Sequence, residues 1–268
     1  MNNSIYRQVM PAWLKFSITL IAGMALYLFS MTSMASGQQA SDRIRIGVDP
    51  TYPPFSSLGD AGQLQGFDID IAKALCHEIG KQCTFVQQDW EGLIPALRGG
   101  RFDAIISSMS ITAKRRQLVA FTNRYYRTAV RYVSRKGSGF DPENPANRTI
   151  GAMQATVASD WLEENLENAS AIQLFSNSQE LFDAIGSGQV DALFGDAIGF
   201  EKWLEVNAGE FEFVGDEYYL DEGIGIALRK EDEDLRLLLN GAIQAILEDG
   251  TYASINARYF DFDLYGIR

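Results

Sequence analysis

Three serines and two arginines stand close together in Ser107-Ser108-Met109-Ser110-Ile111-Thr112-Ala113-Lys114-Arg115-Arg116, directly after the apolar run 104–106. A helix beginning near Thr112 would add main-chain N–H groups and place a guanidinium in its first turn. Together these are the parts of a carboxylate site. Arg115 can offer such a group two parallel hydrogen bonds, whereas the bland alternative makes the serines a loop and Arg115 a surface residue. Asp196 follows a second apolar run, 193–194, and is placed to accept an ammonium group. Thr156, in Gln154-Ala155-Thr156 after the run 150–153, brings a hydroxyl and an N–H toward the same carboxylate. Asp49 and Tyr52 lie in the proline-stiffened turn Asp49-Pro50-Thr51-Tyr52-Pro53-Pro54-Phe55, and Trp90 stands between Asp89 and Glu91. Two facing aromatic rings would hold a flat guanidinium or an alkyl-ammonium stem, with Asp49 neutralising its charge. Core packing is the competing reading for Trp90, and turn capping for Asp49.

Catalytic and metal chemistry find little support. The chain has one histidine, His77, which sits beside Cys76 in a helical stretch away from any strand end, so a Ser–His–Asp arrangement is not expected. Two cysteines and one histidine are too few for a Cys/His zinc site, and neither a metal nor a cofactor is expected.

The first 35 residues carry Arg7 and Lys15, an apolar run over 16–31, then Ser33-Met34-Ala35, with no acid before Asp42. This pattern predicts a signal peptide over 1–35, cleaved after Ala35. A membrane anchor is the alternative, but the run is short for a span. An exported chain makes a Cys76–Cys83 disulfide the default. The leader holds two of the 23 basic residues and none of the 35 acidic ones, which leaves the remainder at −14. Such a surface repels phosphate backbones and argues against nucleic acid.

Those side chains must be positioned by alternating strands and helices. The pattern predicts a strand over 44–48, a helix over 67–79 stopped by Gly80, and a strand over 83–86. Leu93–Ile106 then aligns without gaps on Leu181–Phe194, with five of 14 positions identical. Each copy reads as helix, glycine stop and buried strand, so two similar lobes are expected, with Asp103 and Asp191 structural rather than ligand-binding. The second lobe continues with strands over 149–153, 172–175 and 191–194. Helices are expected near 159–166, over 179–185 with Ser178 as its cap, and over 197–206. A strand over 223–228 returns to the first lobe and is followed by helices over 232–248 and 252–259. The expected fold is α/β and two-lobed, each lobe a mainly parallel sheet flanked by helices. Lobe 1 is discontinuous, over 41–127 and 226–268. Lobe 2 spans 131–221, with hinges near 127–130 and 222–226. Ligands of open α/β sheets sit beyond the carboxyl ends of the strands, here in the cleft between lobes.

At these residues the chain resembles a known family, the bacterial periplasmic amino-acid-binding proteins of ABC importers (solute-binding protein family 3), in the branch that takes up lysine, arginine, ornithine and histidine. The segments that carry the likeness are 45–55 (RIGVDPTYPPF), 66–71 (GFDIDI), 93–97 (LIPAL), 103–112 (DAIISSMSIT), 223–230 (GIGIALRK), 249–252 (DGTY) and 259–265 (YFDFDLY). The resemblance implies a type II periplasmic binding fold with two hinge crossovers. It implies that Arg115, Ser110 and Thr156 hold an α-carboxylate and that Asp196 and Ser108 hold the α-ammonium. Tyr52 and Trp90 would flank the side chain, with Asp49 and Ser107 near its far end. The Cys76–Cys83 spacing matches the branch's disulfide. Ala155 stands where the family usually has glycine, Val157 and Ala158 where polar residues often lie, and Trp90 where phenylalanine is commoner. The implied protein is a monomeric periplasmic receptor and not an enzyme. Its expected partners are a free cationic L-amino acid and the permease subunits of an ABC importer. The rival reading is an exported enzyme on the same fold, such as a cyclohexadienyl (prephenate/arogenate) dehydratase, with Asp49 or Glu91 as its acid or base.

Overall fold

In the computed structural model, residues 42–166 and 171–266 are described. The expected leader over 1–35 lies outside them. Two five-stranded sheets organise the chain. The first runs β5 (Gln82–Gln87), β1 (Arg43–Val48), β6 (Ala104–Ile105), β13 (Ile224–Leu228), β7 (Ala120–Tyr126). The second runs β10 (Ala171–Phe175), β9 (Thr149–Met153), β11 (Ala192–Asp196), β8 (Val130–Arg135), β12 (Phe211–Tyr218). In each sheet the first three strands are parallel and the fourth is antiparallel to both neighbours. That fourth place is filled in both by the strand the chain enters on crossing from the other sheet. The crossings are segment 127–129 into β8 and segment 219–223 into β13.

The sequence explains the central elements. In β1, Ile44 and Ile46 alternate with exposed arginines, and the strand ends on fully buried Val48. Helix α1 (Phe67–Glu78) buries Ile69, Ala72, Leu75 and Cys76 on one face. Gly66 precedes it at φ 129°, where a side chain would also meet the Phe55 carbonyl. The expected disulfide joins Cys76 near the end of α1 to Cys83 in β5, with Cα atoms 5.8 Å apart.

The internal repeat performs the same task twice. Its copies form α2 (Leu93–Arg98) with β6, and α5 with β11, where α3 (Ala113–Arg116) and α4 (Val157–Asn165) come between and α5 spans Ser178–Ser187. Asp103 accepts from the Arg45 N–H at 3.0 Å and from its guanidinium at 2.7 Å, while its own N–H donates to the Arg45 carbonyl at 2.8 Å. Asp191 accepts from the Thr149 N–H at 2.8 Å and from Arg148 at 3.1 Å, and donates to the Thr149 carbonyl at 2.8 Å. Both aspartates thus tie the third strand to the strand beside it, as their structural reading anticipates.

Several features differ from the sequence expectation. The cap of α5 is Asn177, whose side chain accepts the Glu180 N–H at 2.9 Å. Ser178 is already helical, and its hydroxyl reaches the Thr51 carbonyl at 2.5 Å, a contact across the two halves that local pattern could not reveal. The helix expected near 159–166 starts at Val157, because Thr156 and Ser159 form a capping box. Strands β7, β8 and β12 were not anticipated, nor was the small sheet β2 (Thr51–Tyr52), β3 (Ser56–Leu58), β4 (Leu64–Gln65) that follows β1. By contrast, the helices expected over 197–206 and 232–248 are found as α6 (Ala197–Asn207) and α7 (Glu233–Glu248).

Candidate functional site

The carboxyl ends of five parallel strands supply the chemistry. Asp49 follows β1, and Trp90 follows β5 in a short 3₁₀ turn, Trp90–Gly92. Ser107, Ser108 and Ser110 follow β6, Thr156 follows β9, and Asp196 ends β11. Together with Tyr52 and Arg115 they line one cavity of about 100 Å³ whose walls come from both sheets. All nine side chains singled out in the sequence therefore meet in one place, which is where strand ends in open α/β sheets put a ligand.

Arg115 is 9 % exposed, yet it has no carboxylate within salt-bridge distance among the described residues. Its Nη1 donates to the Ser110 carbonyl at 2.9 Å and its Nη2 to the Ala155 carbonyl at 3.0 Å. Burial pulls its pKa down to about 10, with Asp160 and Asp221 at a distance opposing that shift. A buried guanidinium satisfied only by neutral carbonyls retains donors and an uncompensated charge for an anionic group. Thr112 caps α3 by accepting the Arg115 N–H at 3.1 Å, which fixes the main chain beneath this side chain. The Thr156 hydroxyl and N–H, by contrast, are engaged in their own helix cap, with Met153 and Ser159. What α4 offers the cavity are Val157 and Ala158, whose main-chain N–H groups have no acceptor within the helix. The sequence marked these two as apolar departures. Their N–H groups do not depend on side-chain type.

Asp196 lies on the opposite wall. It accepts from the Gly199 N–H at 2.8 Å, with the Tyr52 and Thr128 hydroxyls beside it. Burial pushes its pKa up to about 6 against the pull of these donors, and Asp221 adds to the rise. Ser108 adopts a left-handed φ of 53°, and its hydroxyl donates to Asp68 at 2.9 Å. Its lone pairs remain to accept from an ammonium group. Asp68 is fully buried behind the cavity, where it also accepts from the Tyr125 hydroxyl at 2.8 Å; burial raises its pKa to about 7. Nothing in the GFDIDI segment itself gives Asp68 a role at the cavity. Only the fold brings it to Ser108.

Asp49 both caps its turn and faces the cavity, so its two readings are compatible. Its Oδ1 accepts from the Thr51 N–H at 3.0 Å and hydroxyl at 2.8 Å, while its main-chain N–H donates to Ser107 at 3.0 Å. Burial raises its pKa, partly offset by Thr51. Tyr52 stacks one face on Phe55, with centroids 5.4 Å apart. Asp221, absent from the sequence expectation, also lines the cavity, as do Met153, Leu181, Phe182 and Phe200. The cavity thus holds three carboxylates, Asp49, Asp196 and Asp221, against one guanidinium. Among the described residues no cluster of His, Cys, Asp or Glu is arranged to hold a metal ion.

Comparison with known proteins identifies the relatives of this chain. The pattern of the bacterial extracellular solute-binding proteins, family 3, matches residues 44–262. The L-arginine-binding protein of Pseudomonas aeruginosa is 38 % identical over 258 residues, covering 93 % of this chain and 98 % of the relative. The histidine-binding periplasmic protein of Escherichia coli K12 is 38 % identical over 260 residues, covering 92 % and 98 %. Among solved structures, a periplasmic His/Glu/Gln/Arg/opine family-binding protein from Silicibacter pomeroyi, in complex with lysine, superposes with a TM-score of 0.76. It is 33 % identical, with 82 % of this chain and 98 % of that chain covered.

Proposed function

The chain belongs to the bacterial extracellular solute-binding proteins, family 3, and from that premise we propose that it is a periplasmic receptor that captures a free cationic amino acid and delivers it to an ABC importer. The observation that carries the cationic reading is the charge inside the cavity. An amino-acid zwitterion would neutralise Arg115 with its carboxylate and Asp196 with its ammonium. Asp49 and Asp221 are then left over, and Asp49 is 5 % exposed with a raised pKa. Burying such a carboxylate without a counter-charge is costly. A ligand whose side chain carries a positive charge supplies what the site lacks, and Tyr52 and Trp90 offer rings for the flat or alkyl part of that side chain. In this reading Ser110, Arg115 and the start of α4 near Thr156 receive the carboxylate. Asp196 and Ser108 receive the ammonium, and Ser107 and Asp49 lie toward the side chain's end. The lysine complex of the Silicibacter protein and the arginine- and histidine-binding relatives are consistent with such a ligand.

The reading is tested by calorimetry on the exported form with arginine, lysine, ornithine, histidine, glutamine and glutamate. At least one cationic amino acid should bind at least 100-fold more tightly than glutamine or glutamate. Tightest binding of glutamate or glutamine would overturn it. Recovery of the bound amino acid chemically unchanged, read by mass spectrometry after incubation, is expected of a receptor. Its conversion to another compound would favour the dehydratase-like alternative.

A further inference from the structure

Trp90 and Ala155 stand on opposite sides of the cavity, one following β5 of the first sheet and the other following β9 of the second. The indole Nε1 of Trp90 donates to the Ala155 carbonyl at 3.1 Å. Arg115 donates to the same oxygen through Nη2 at 3.0 Å. Its guanidinium also lies over the Trp90 ring, with Cζ 5.3 Å from the centroid. One carbonyl of the second half therefore takes two donors from the first, as a carbonyl's two lone pairs allow. Ala155 holds this oxygen at φ 56°, a conformation that costs a residue with a side chain on the order of 1 kcal/mol or more. Such strain persists only where the surroundings over-determine it.

Other bonds also join the two halves. Gln154 donates to Glu91 at 2.6 Å and Lys114 pairs with Asp160 at 2.7 Å, both as exposed as the Trp90 bond itself, and the Ser178 hydroxyl donates to the Thr51 carbonyl at 2.5 Å in a part-buried position. The Trp90 bond is the one that shares its acceptor with the buried guanidinium. On the first half alone, Arg115 keeps a single one of these hydrogen bonds, to Ser110 at 2.9 Å.

We propose that Trp90 is a positioning residue for Arg115: through its indole N–H on the Ala155 carbonyl it holds that oxygen, and with it the guanidinium fork, in place only when the two halves meet. The proposal rests on the amino-acid-receptor reading and adds a role to Trp90 beyond that of a ring beside the ligand's side chain. The two roles separate cleanly. Stacking depends on the ring and on what the ligand's side chain is. The cross-cavity bond depends on the N–H and not on the ligand's side chain. Phenylalanine keeps a ring and cannot donate.

The test is Trp90→Phe, compared with the parent in stopped-flow association and dissociation of each amino acid that the parent binds. The expected result is dissociation faster by about 3–10-fold, the scale of one lost hydrogen bond, by a similar factor for every ligand, with association rates within about twofold. Unchanged dissociation rates would overturn the proposal. So would a change confined to one ligand, because that is the signature of a stacking plate. A second readout keeps the inference separate from the function it rests on. In the ligand-saturated protein, or, if no amino acid binds the parent, in the ligand-free protein below about pH 6, where protonated Asp196 favours joined halves, the Trp90 indole proton is followed by hydrogen exchange. A protected proton supports the bond, and exchange at the rate of a solvent-exposed indole overturns it. Failure of the parent to bind any of the amino acids overturns the proposed function and leaves this second readout to decide the bond.

Discussion

Arg115 is buried and Arg116 is exposed, although the two are adjacent in the sequence. Arg116 pairs with Glu222 at 2.8 Å on the surface, while Arg115 faces the cavity with carbonyls for neighbours. Arg115→Met should weaken amino-acid binding about 100-fold or more, because one buried charge-assisted pair contributes roughly 3–5 kcal/mol when its loss strands the other charge. Arg116→Met should change affinity by less than about threefold, and titration calorimetry on both variants checks the pair. Asp196 carries a second prediction, with opposite signs for stability and binding. Folded Asp196 holds its proton up to about pH 6, above the ordinary carboxylate range, so ionising it costs stability as pH rises from about 4 to about 6. Asp196→Asn should therefore raise the melting temperature of the ligand-free protein relative to the parent at pH 8, and the gain should shrink toward pH 4. In the proposed site the ligand's ammonium pairs with ionised Asp196, so parent affinity should fall as pH drops below about 6, and Asp196→Asn should bind poorly throughout. A variant no more stable than the parent at pH 8 would contradict the burial cost. At this scale the sequence was most legible where a polar residue followed an apolar strand, as at Ser107 and Asp196. It was silent for Asp68 and Asp221, whose relation to the cavity exists only through contacts distant in the chain.

Strand ends, helix caps and turns decide which of these residues meet. Strands β6 and β11 were readable because both faces are buried and their runs are nearly all apolar, as in Ala104–Ile106, and β1 because Ile44 and Ile46 alternate with exposed arginines. β12 was not, since the consecutive Gly215-Asp216-Glu217 interrupts its apolar residues and its pairing with β8 shifts register midway. Helix starts were readable to within a residue or two. The misplaced cap at Ser178 reflects two neighbouring residues, Asn177 and Ser178, that are both good caps, so the choice falls to tertiary contacts. Gly199 in the first turn of α6 gives a prediction at this scale. A Cβ there would come within 2.6 Å of the Tyr52 hydroxyl, which reaches Asp196 from the other half. Gly199→Ala should leave the fold as stable or slightly more so, because alanine is preferred in a helix by up to about 1 kcal/mol. It should nevertheless weaken binding by about tenfold or more, because Tyr52 must move out of the closed site. Thermal unfolding and calorimetry on the same sample check both halves. A parallel loss of stability and affinity would mean that Gly199 packs within its own half instead.

Across the whole molecule, the two sheets repeat one strand order, and each receives its fourth strand from a crossing of the chain. The repeat Leu93–Ile106 on Leu181–Phe194 made this duplication legible in advance, because the same aspartate tie had to be kept in both copies. The contacts that join the halves were not legible, since Trp90 to Ala155 and Ser178 to Thr51 span 65 and 127 residues of sequence. Those contacts set the balance between joined and separated halves. The Lys114–Asp160 and Gln154–Glu91 pairs are exposed and each worth at most about 1 kcal/mol, and the part-buried Ser178–Thr51 bond adds about 0.5–1.5 kcal/mol, as one neutral hydrogen bond does. Against them, closure without ligand gathers Asp49, Asp196 and Asp221 around one cavity, where like charges repel. We therefore expect segments 127–129 and 219–223 to act as hinges, with separated halves predominating in the ligand-free protein at neutral pH. A shift from about 10 % to about 99 % closed needs roughly 4 kcal/mol of differential binding. An ion pair at Arg115 and another at Asp196, both formed only on closure, can supply that amount. Small-angle scattering should show the radius of gyration contract when a saturating cationic amino acid is added to the parent, and stay constant for Arg115→Met at the same concentration. Acidifying the ligand-free protein below about pH 6 protonates Asp196 and relieves the repulsion, so it should move the radius in the same direction as ligand, by a smaller amount. Identical scattering with and without ligand, together with no response to acidification, would show that the cavity is not opened by these crossings.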